Sequence, residues 1–100
     1  LMDGINVKIS VITRMELLAW PGASKKQSLI LHEFVDSADV FSLEEPIILK
    51  AIEIRKETKT KLPDAIIAAT AMVHKFSLIT RNVKDFEKIQ GIEIQDPYNI

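Results

Sequence analysis

The segment PDAIIAATAMVHK, residues 63–75, leaves its chain little choice of fold. Pro63 suits the first turn of a helix, where its missing N–H costs nothing, and Asp64 beside it complements the positive end of the helix dipole. From 65 to 73 every residue except Thr70 is apolar. A helix built from them has little face to give to water, so it must be sandwiched against a sheet and other helices. One hundred residues, 47% of them hydrophobic, supply one core and one domain, residues 1–100.

The layers around that helix can be read from periodicity. Residues 5–13, INVKISVIT, alternate β-branched and polar positions as a strand does. Thr13 reads as a helix N-cap with Glu16 as its capping-box partner, and the short helix RMELLAW stops at Pro21-Gly22. Ser24 reads as the cap of the next helix, whose apolar positions Leu29, Ile30, Phe34 and Val35 lie near helical spacing. Residues 39–43 form a short strand candidate. Glu44, Glu45 and Pro46 then open a helix reaching about Lys59, expected to bury Ile47, Ile48, Ala51, Ile52 and Ile54. Residues 77–80, SLIT, form a third strand, RNVKDFEKI a turn with some helix, and residues 92–94 a last strand after Gly91. The order β-α-α-β-α-α-β-(α)-β predicts an α/β fold, with a mostly parallel sheet between helices.

Composition narrows the function classes. The absence of cysteine excludes disulfides and thiolate metal sites. The formal charge of −1 gives no whole-chain attraction to a polyanion. The apolar runs are too short to cross a bilayer, and the first residues lack a signal-peptide pattern, so a soluble cytoplasmic protein without a membrane partner is expected. His32 and His74 stand alone, with no second histidine at ligand spacing.

Open parallel sheets place their sites beyond the C-terminal ends of the strands. Three such places carry acids or amides here: Glu16 after the first strand, Asp64 in the first turn of the apolar helix, and Asn82 with Asp85 after the third. Each has a plain structural reading as a cap or a dipole partner. Together they suggest oxygen donors converging on a hard divalent ion, which a cluster of like charges needs. Residues 55–61, RKETKTK, carry four cations and one anion, and read either as a solvated helix end or as one edge of an RNA groove. Arg81, beside Asn82, is the better candidate for a phosphate contact.

The stretches ISVITRMELLAW and KLPDAIIAATAMVHKFSLITRNVKDF resemble two signature segments of PIN domains, with order and residue types agreeing over residues 5–98. The resemblance implies a PIN-like three-layer sandwich and a Mg2+- or Mn2+-dependent endoribonuclease. It is most like the VapC toxins, which cleave RNA and are neutralised by a small antitoxin. It makes Glu16, Asp64 and Asp85 the catalytic and metal-binding acids, with Asn82 where many relatives carry a further acid. Thr80 becomes a hydroxyl that supports the site, and a homodimer is expected because relatives pair. Such domains open with a central strand bearing an aspartate, giving strand order 3-2-1-4-5, and nothing here matches that strand. Asp3 follows no apolar strand and does not replace it. The expected strand pairs are therefore residues 7–13 with 39–43, and residues 77–80 with 92–94. The alternative is a truncated, catalytically inactive remnant that serves as a protein-binding module.

Overall fold

The structure, a computed structural model, describes residues 7–97. Its elements are β1 (Lys8–Ser10), α1 (Val11–Leu18), α2 (Lys25–Ser37), β2 (Asp39–Phe41), α3 (Glu45–Glu57), α4 (Leu62–Val73), β3 (Leu78–Ile79), α5 (Val83–Phe86) and β4 (Ile94–Gln95). The order is the expected one. So is the pairing: β1 with β2 and β3 with β4, both parallel, as two two-stranded sheets. The chain divides into two compact units between Ser42 and Leu43.

In the first unit, β1 aligns Lys8 with Asp39, Ile9 with Val40 and Ser10 with Phe41. The Asp39 N–H extends the ladder by donating to the Val7 carbonyl at 2.8 Å. The Lys8–Asp39 ion pair, 3.9 Å and exposed, adds little to that register. The strand is much shorter than the expected residues 5–13, of which 5 and 6, like Asp3, lie outside the described residues. Its end is set by Ser10, which is extended and accepts from the Ile12 N–H at 3.0 Å, so helix α1 begins at Val11. The expected Thr13–Glu16 capping box is therefore corrected: both residues lie inside the helix. The β-branched run Val11-Ile12-Thr13 looks like strand, but a cap just ahead of it outweighs that preference. Ser24 does cap α2, with a full capping box: the Gln27 N–H donates to its hydroxyl at 3.1 Å, and its own N–H donates to Gln27 Oε1 at 2.9 Å.

The second unit is built on α3 against α4. Glu45 and Pro46 open α3, and Ile47, Ala51 and Ile54 bury one face at spacings of four and three residues. The expectation that Ile48 and Ile52 join that core is corrected: Ile48 is half-buried and Ile52 is 51% exposed, because both point to other faces. Helix α3 stops at Glu57, earlier than expected, because Thr58 turns extended and donates its hydroxyl to the Ile54 carbonyl at 2.7 Å. In α4, Ala65, Ala68, Ala69 and Ala71 are buried with Ile66 and Thr70, and the missing side-chain bulk lets α3 approach closely. The buried Thr70 hydroxyl is satisfied by the Ile66 carbonyl at 2.7 Å. Strands β3 and β4 then align Leu78 with Ile94 and Ile79 with Gln95, two residues beyond the expected start of the last strand. Gly91 enters β4 with φ +88°, a left-handed conformation that glycine adopts freely.

Candidate functional site

The turn after β3 carries most of the candidate residues. Thr80 continues the ladder past Ile79, its N–H donating to the Gln95 carbonyl at 3.0 Å. Its hydroxyl accepts from the Asn82 N–H at 3.0 Å, and the Asn82 carbonyl accepts from the Asp85 N–H at 3.0 Å. These two bonds fold Thr80, Arg81, Asn82 and Asp85 into one compact turn at the end of a strand. Phe86 and Ile89, both buried, anchor the C-terminal side of this turn to the unit's core. The Asn82 side chain does not cap α5, and its amide, like the exposed Asp85 carboxylate, is left for other partners. Arg81 is exposed.

Asp64 belongs to the same unit, third in α4 after Leu62 and Pro63, and it is half-buried. Helix α5 packs against α4, so the two acids ride on neighbouring elements. Neither carboxylate takes a hydrogen bond or an ion pair among the described residues. Asp64 is preceded in the chain by a corner that the sequence presents only as charge. Thr58 donates to Ile54, and accepts from both the Thr60 N–H at 3.2 Å and the Thr60 hydroxyl at 2.6 Å. Arg55 Nη1 donates to the Thr60 carbonyl at 3.3 Å. The Lys61 carbonyl, next along, accepts from the Ala65 N–H at 2.8 Å and starts the helix. Residues 55–61 are thus a structured corner, and Thr60 is buried.

Glu16 lies in the first unit, sixth in the eight-residue α1, exposed and with no protein partner among the described residues. Among the described residues no three acid or imidazole side chains stand together as a group that could hold a metal ion. The fit to a hard cation therefore rests on donor chemistry: unpartnered carboxylates and a free amide oxygen are the ligands Mg2+ and Mn2+ take. Two hollows among the described residues of the second unit are lined by none of the candidate acids. One, about 460 Å3, lies at the far end of α4 by Met72 and Phe76. The other, about 530 Å3, runs between α3 and α4 past Leu43, Ile52 and Leu62. Among the described residues no helix is long and apolar enough to cross a membrane.

Comparison with known proteins gives this arrangement a family. The PIN domain model matches residues 1–92. Ribonuclease VapC1 of Methanocaldococcus jannaschii is 32% identical over 88% of this chain and 69% of its own length. Ribonuclease VapC1 of Rickettsia felis is 61% identical over a shorter stretch of 31 residues, 31% of this chain and 23% of that protein. Among solved structures, a toxin-antitoxin complex from Klebsiella pneumoniae contains a chain 40% identical to this one. It superposes with a TM-score of 0.74 over 91% of this chain and 73% of that one.

Proposed function

The chain belongs to the PIN domain family, and on that premise we propose that the protein is an endoribonuclease of the VapC toxin type. It cleaves RNA phosphodiester bonds in the cytoplasm, is held in check by a small antitoxin protein and works as a pair of identical chains. The observation that carries the reading is the turn after β3, where Thr80, Arg81, Asn82 and Asp85 are gathered by two hydrogen bonds, with the short helix that follows packed on the helix that bears Asp64. Relatives named as ribonucleases support the RNA substrate, and a relative within a toxin-antitoxin complex supports the protein partner.

We assign Asp64 and Asp85 as donors for Mg2+ or Mn2+, with the Asn82 amide oxygen as a neutral third, and Glu16 as a further acid of the same donor chemistry in the first unit. Bound there, the ion would activate water and neutralise charge on the scissile phosphate. The protein's own part is positional. Thr80 commits its hydroxyl to the turn and so fixes where Asn82 and Asp85 stand. Arg81 offers a planar fork of donors to a phosphate oxygen pair. The threonine corner orders the chain leading into α4, the helix that carries Asp64. A second reading, a catalytically inactive remnant that binds a partner protein, is favoured by the apolar groove between α3 and α4, where Leu43 and Leu62 are exposed.

The test is Asp64→Asn, nearly isosteric but without the ligand charge. Mg2+-dependent cleavage of an RNA substrate should fall by about 100-fold or more, with an unchanged circular dichroism spectrum. Mn2+ affinity, read by electron paramagnetic resonance, should weaken in parallel. Undiminished cleavage by the folded variant would remove Asp64 from the site. A wild-type protein that neither binds Mn2+ nor cuts RNA would favour the second reading.

A further inference from the structure

Helix α4 starts without the usual fittings of a helix start. Its N-cap, Lys61, makes no side-chain bond to the first turn. Asp64 stands third in the helix, where an acid can reach back to the N-cap N–H. Its carboxylate takes no such bond among the described residues. Packing does not anchor this turn either. Lys61, Leu62 and Pro63 are exposed, Leu62 by 54%, and the helix buries side chains only from Ala65 onward. A first turn with neither a cap nor a buried side chain is where a helix frays.

The chain just ahead of that turn is ordered instead. Thr60, 2% exposed, is the only buried residue between Ile54 and Ala65. All three of its polar groups are engaged with α3 or its cap. Its N–H donates to the Thr58 hydroxyl at 3.2 Å, and its hydroxyl bonds to the same oxygen at 2.6 Å. Its carbonyl accepts from Arg55 Nη1 at 3.3 Å. The Thr58 hydroxyl in turn donates to the Ile54 carbonyl at 2.7 Å, which fastens the clamp to the last turn of α3. Lys61 follows directly, and its carbonyl accepts the first bond of α4, from the Ala65 N–H at 2.8 Å. Asp64 therefore sits between two buried anchors, Thr60 and Ala65.

We infer that Thr58 is a positioning residue for the Asp64 carboxylate, a role that rests on the reading of Asp64 as a donor to Mg2+ or Mn2+. Its hydroxyl clamps Thr60 and so sets where the uncapped first turn of α4 begins. This division of labour suits a metal donor. A carboxylate that capped its own helix would have to give up that bond to take an ion. Holding the turn from outside leaves the carboxylate unspent and keeps its place, as supporting bonds behind a ligand do.

Four variants of the full chain test it: Thr58→Val, Thr58→Ser, Arg55→Met and Ile47→Val. The first readout needs no metal. In the metal-free protein, Thr58→Val should speed amide exchange at Ala65 relative to Ala69 by about tenfold or more, because the first turn then opens by itself. Thr58→Ser keeps the hydroxyl and should restore the wild-type ratio. Ile47→Val trims a buried residue near the other end of α3, so it lowers stability and should leave the ratio unchanged. The second readout is Mn2+ affinity by electron paramagnetic resonance. It should fall by about tenfold in Thr58→Val, return in Thr58→Ser and stay at the wild-type value in Ile47→Val. Arg55→Met, a milder cut that removes only the donor to the Thr60 carbonyl, should move both readouts the same way by a smaller factor, and it serves if Thr58→Val does not fold. An unchanged exchange ratio in folded Thr58→Val, or in Arg55→Met where Thr58→Val does not fold, would overturn the clamp. A loosened turn with undiminished Mn2+ affinity would overturn the positioning role. A wild type without Mn2+ affinity would overturn the reading of Asp64 itself, and the positioning role with it, whatever the exchange ratio shows.

Discussion

Thr58 and Thr60 show how a charged, polar tract can be structure rather than solvated surface. The Thr58 hydroxyl has one proton, which goes to the Ile54 carbonyl, and two lone pairs, which accept from the Thr60 N–H and hydroxyl. Every bonding capacity of that oxygen is used. Replacing it orphans two donors of a buried residue, whereas replacing the Thr60 hydroxyl removes one bond and leaves a methyl in its place. Thr58→Val should therefore cost about 1–3 kcal/mol, and Thr60→Val about 0.5–1.5 kcal/mol. Urea unfolding of the two variants checks the order, and equal costs would mean that the corner is not organised around Thr58. The candidate acids were named from sequence position; the structure keeps Asp64 and Asp85 in first helical turns and moves Glu16 to the second turn of α1. The corner was not legible in the sequence, because its bonds depend on Thr58 leaving the helix, a conformational choice that residue types alone leave open.

At the scale of elements, the order of nine and the pairing of four strands followed from periodicity and resemblance, and the errors gathered at element ends. Residues 11–13 are the clearest case. Val-Ile-Thr favours strand through its β-branched side chains, yet Ser10 begins a helix by accepting from the Ile12 N–H, and the three are carried into α1. The two possible caps make opposite predictions. Ser10→Ala should cost about 0.5–2 kcal/mol, since the hydroxyl is buried and satisfies an orphan donor. Thr13→Ala should be within about 0.5 kcal/mol of neutral, or slightly stabilising, because alanine is the better helix former inside a helix. Thermal unfolding of both variants decides between the caps; a larger loss at Thr13 would restore the capping box with Glu16. Ile52 taught a related lesson: helical spacing says that a residue lies on a face, and only packing says which face is inside.

For the molecule as a whole, stability should be uneven, because the two units bury very different amounts of apolar surface. The second owns nearly all of the described core: Ile47, Ala51, Ile54 and the α4 residues Ala65, Ile66, Ala68, Ala69 and Ala71. In the first, α1 has no buried residue and α2 only Val35, while Leu29 and Ile30 are 61% and 54% exposed. Fully burying one large apolar side chain is worth about 1.5–3 kcal/mol, so the difference amounts to several such contributions. Opening of α1 and α2 should therefore need less free energy than opening of α3 and α4. Native-state hydrogen exchange reads this directly. The amides of Ala68 to Ala71 should be among the last to exchange, at the free energy of global unfolding, and those of α1 should exchange through a local opening of lower free energy. A partner that covers Leu29, Ile30 and Phe34 should raise protection in α1 and α2 before it changes α4, since ligand binding stabilises what it touches only up to the level of the next opening. Equal protection in both units, with no partner added, would mean that the first unit is held by something other than its own buried side chains.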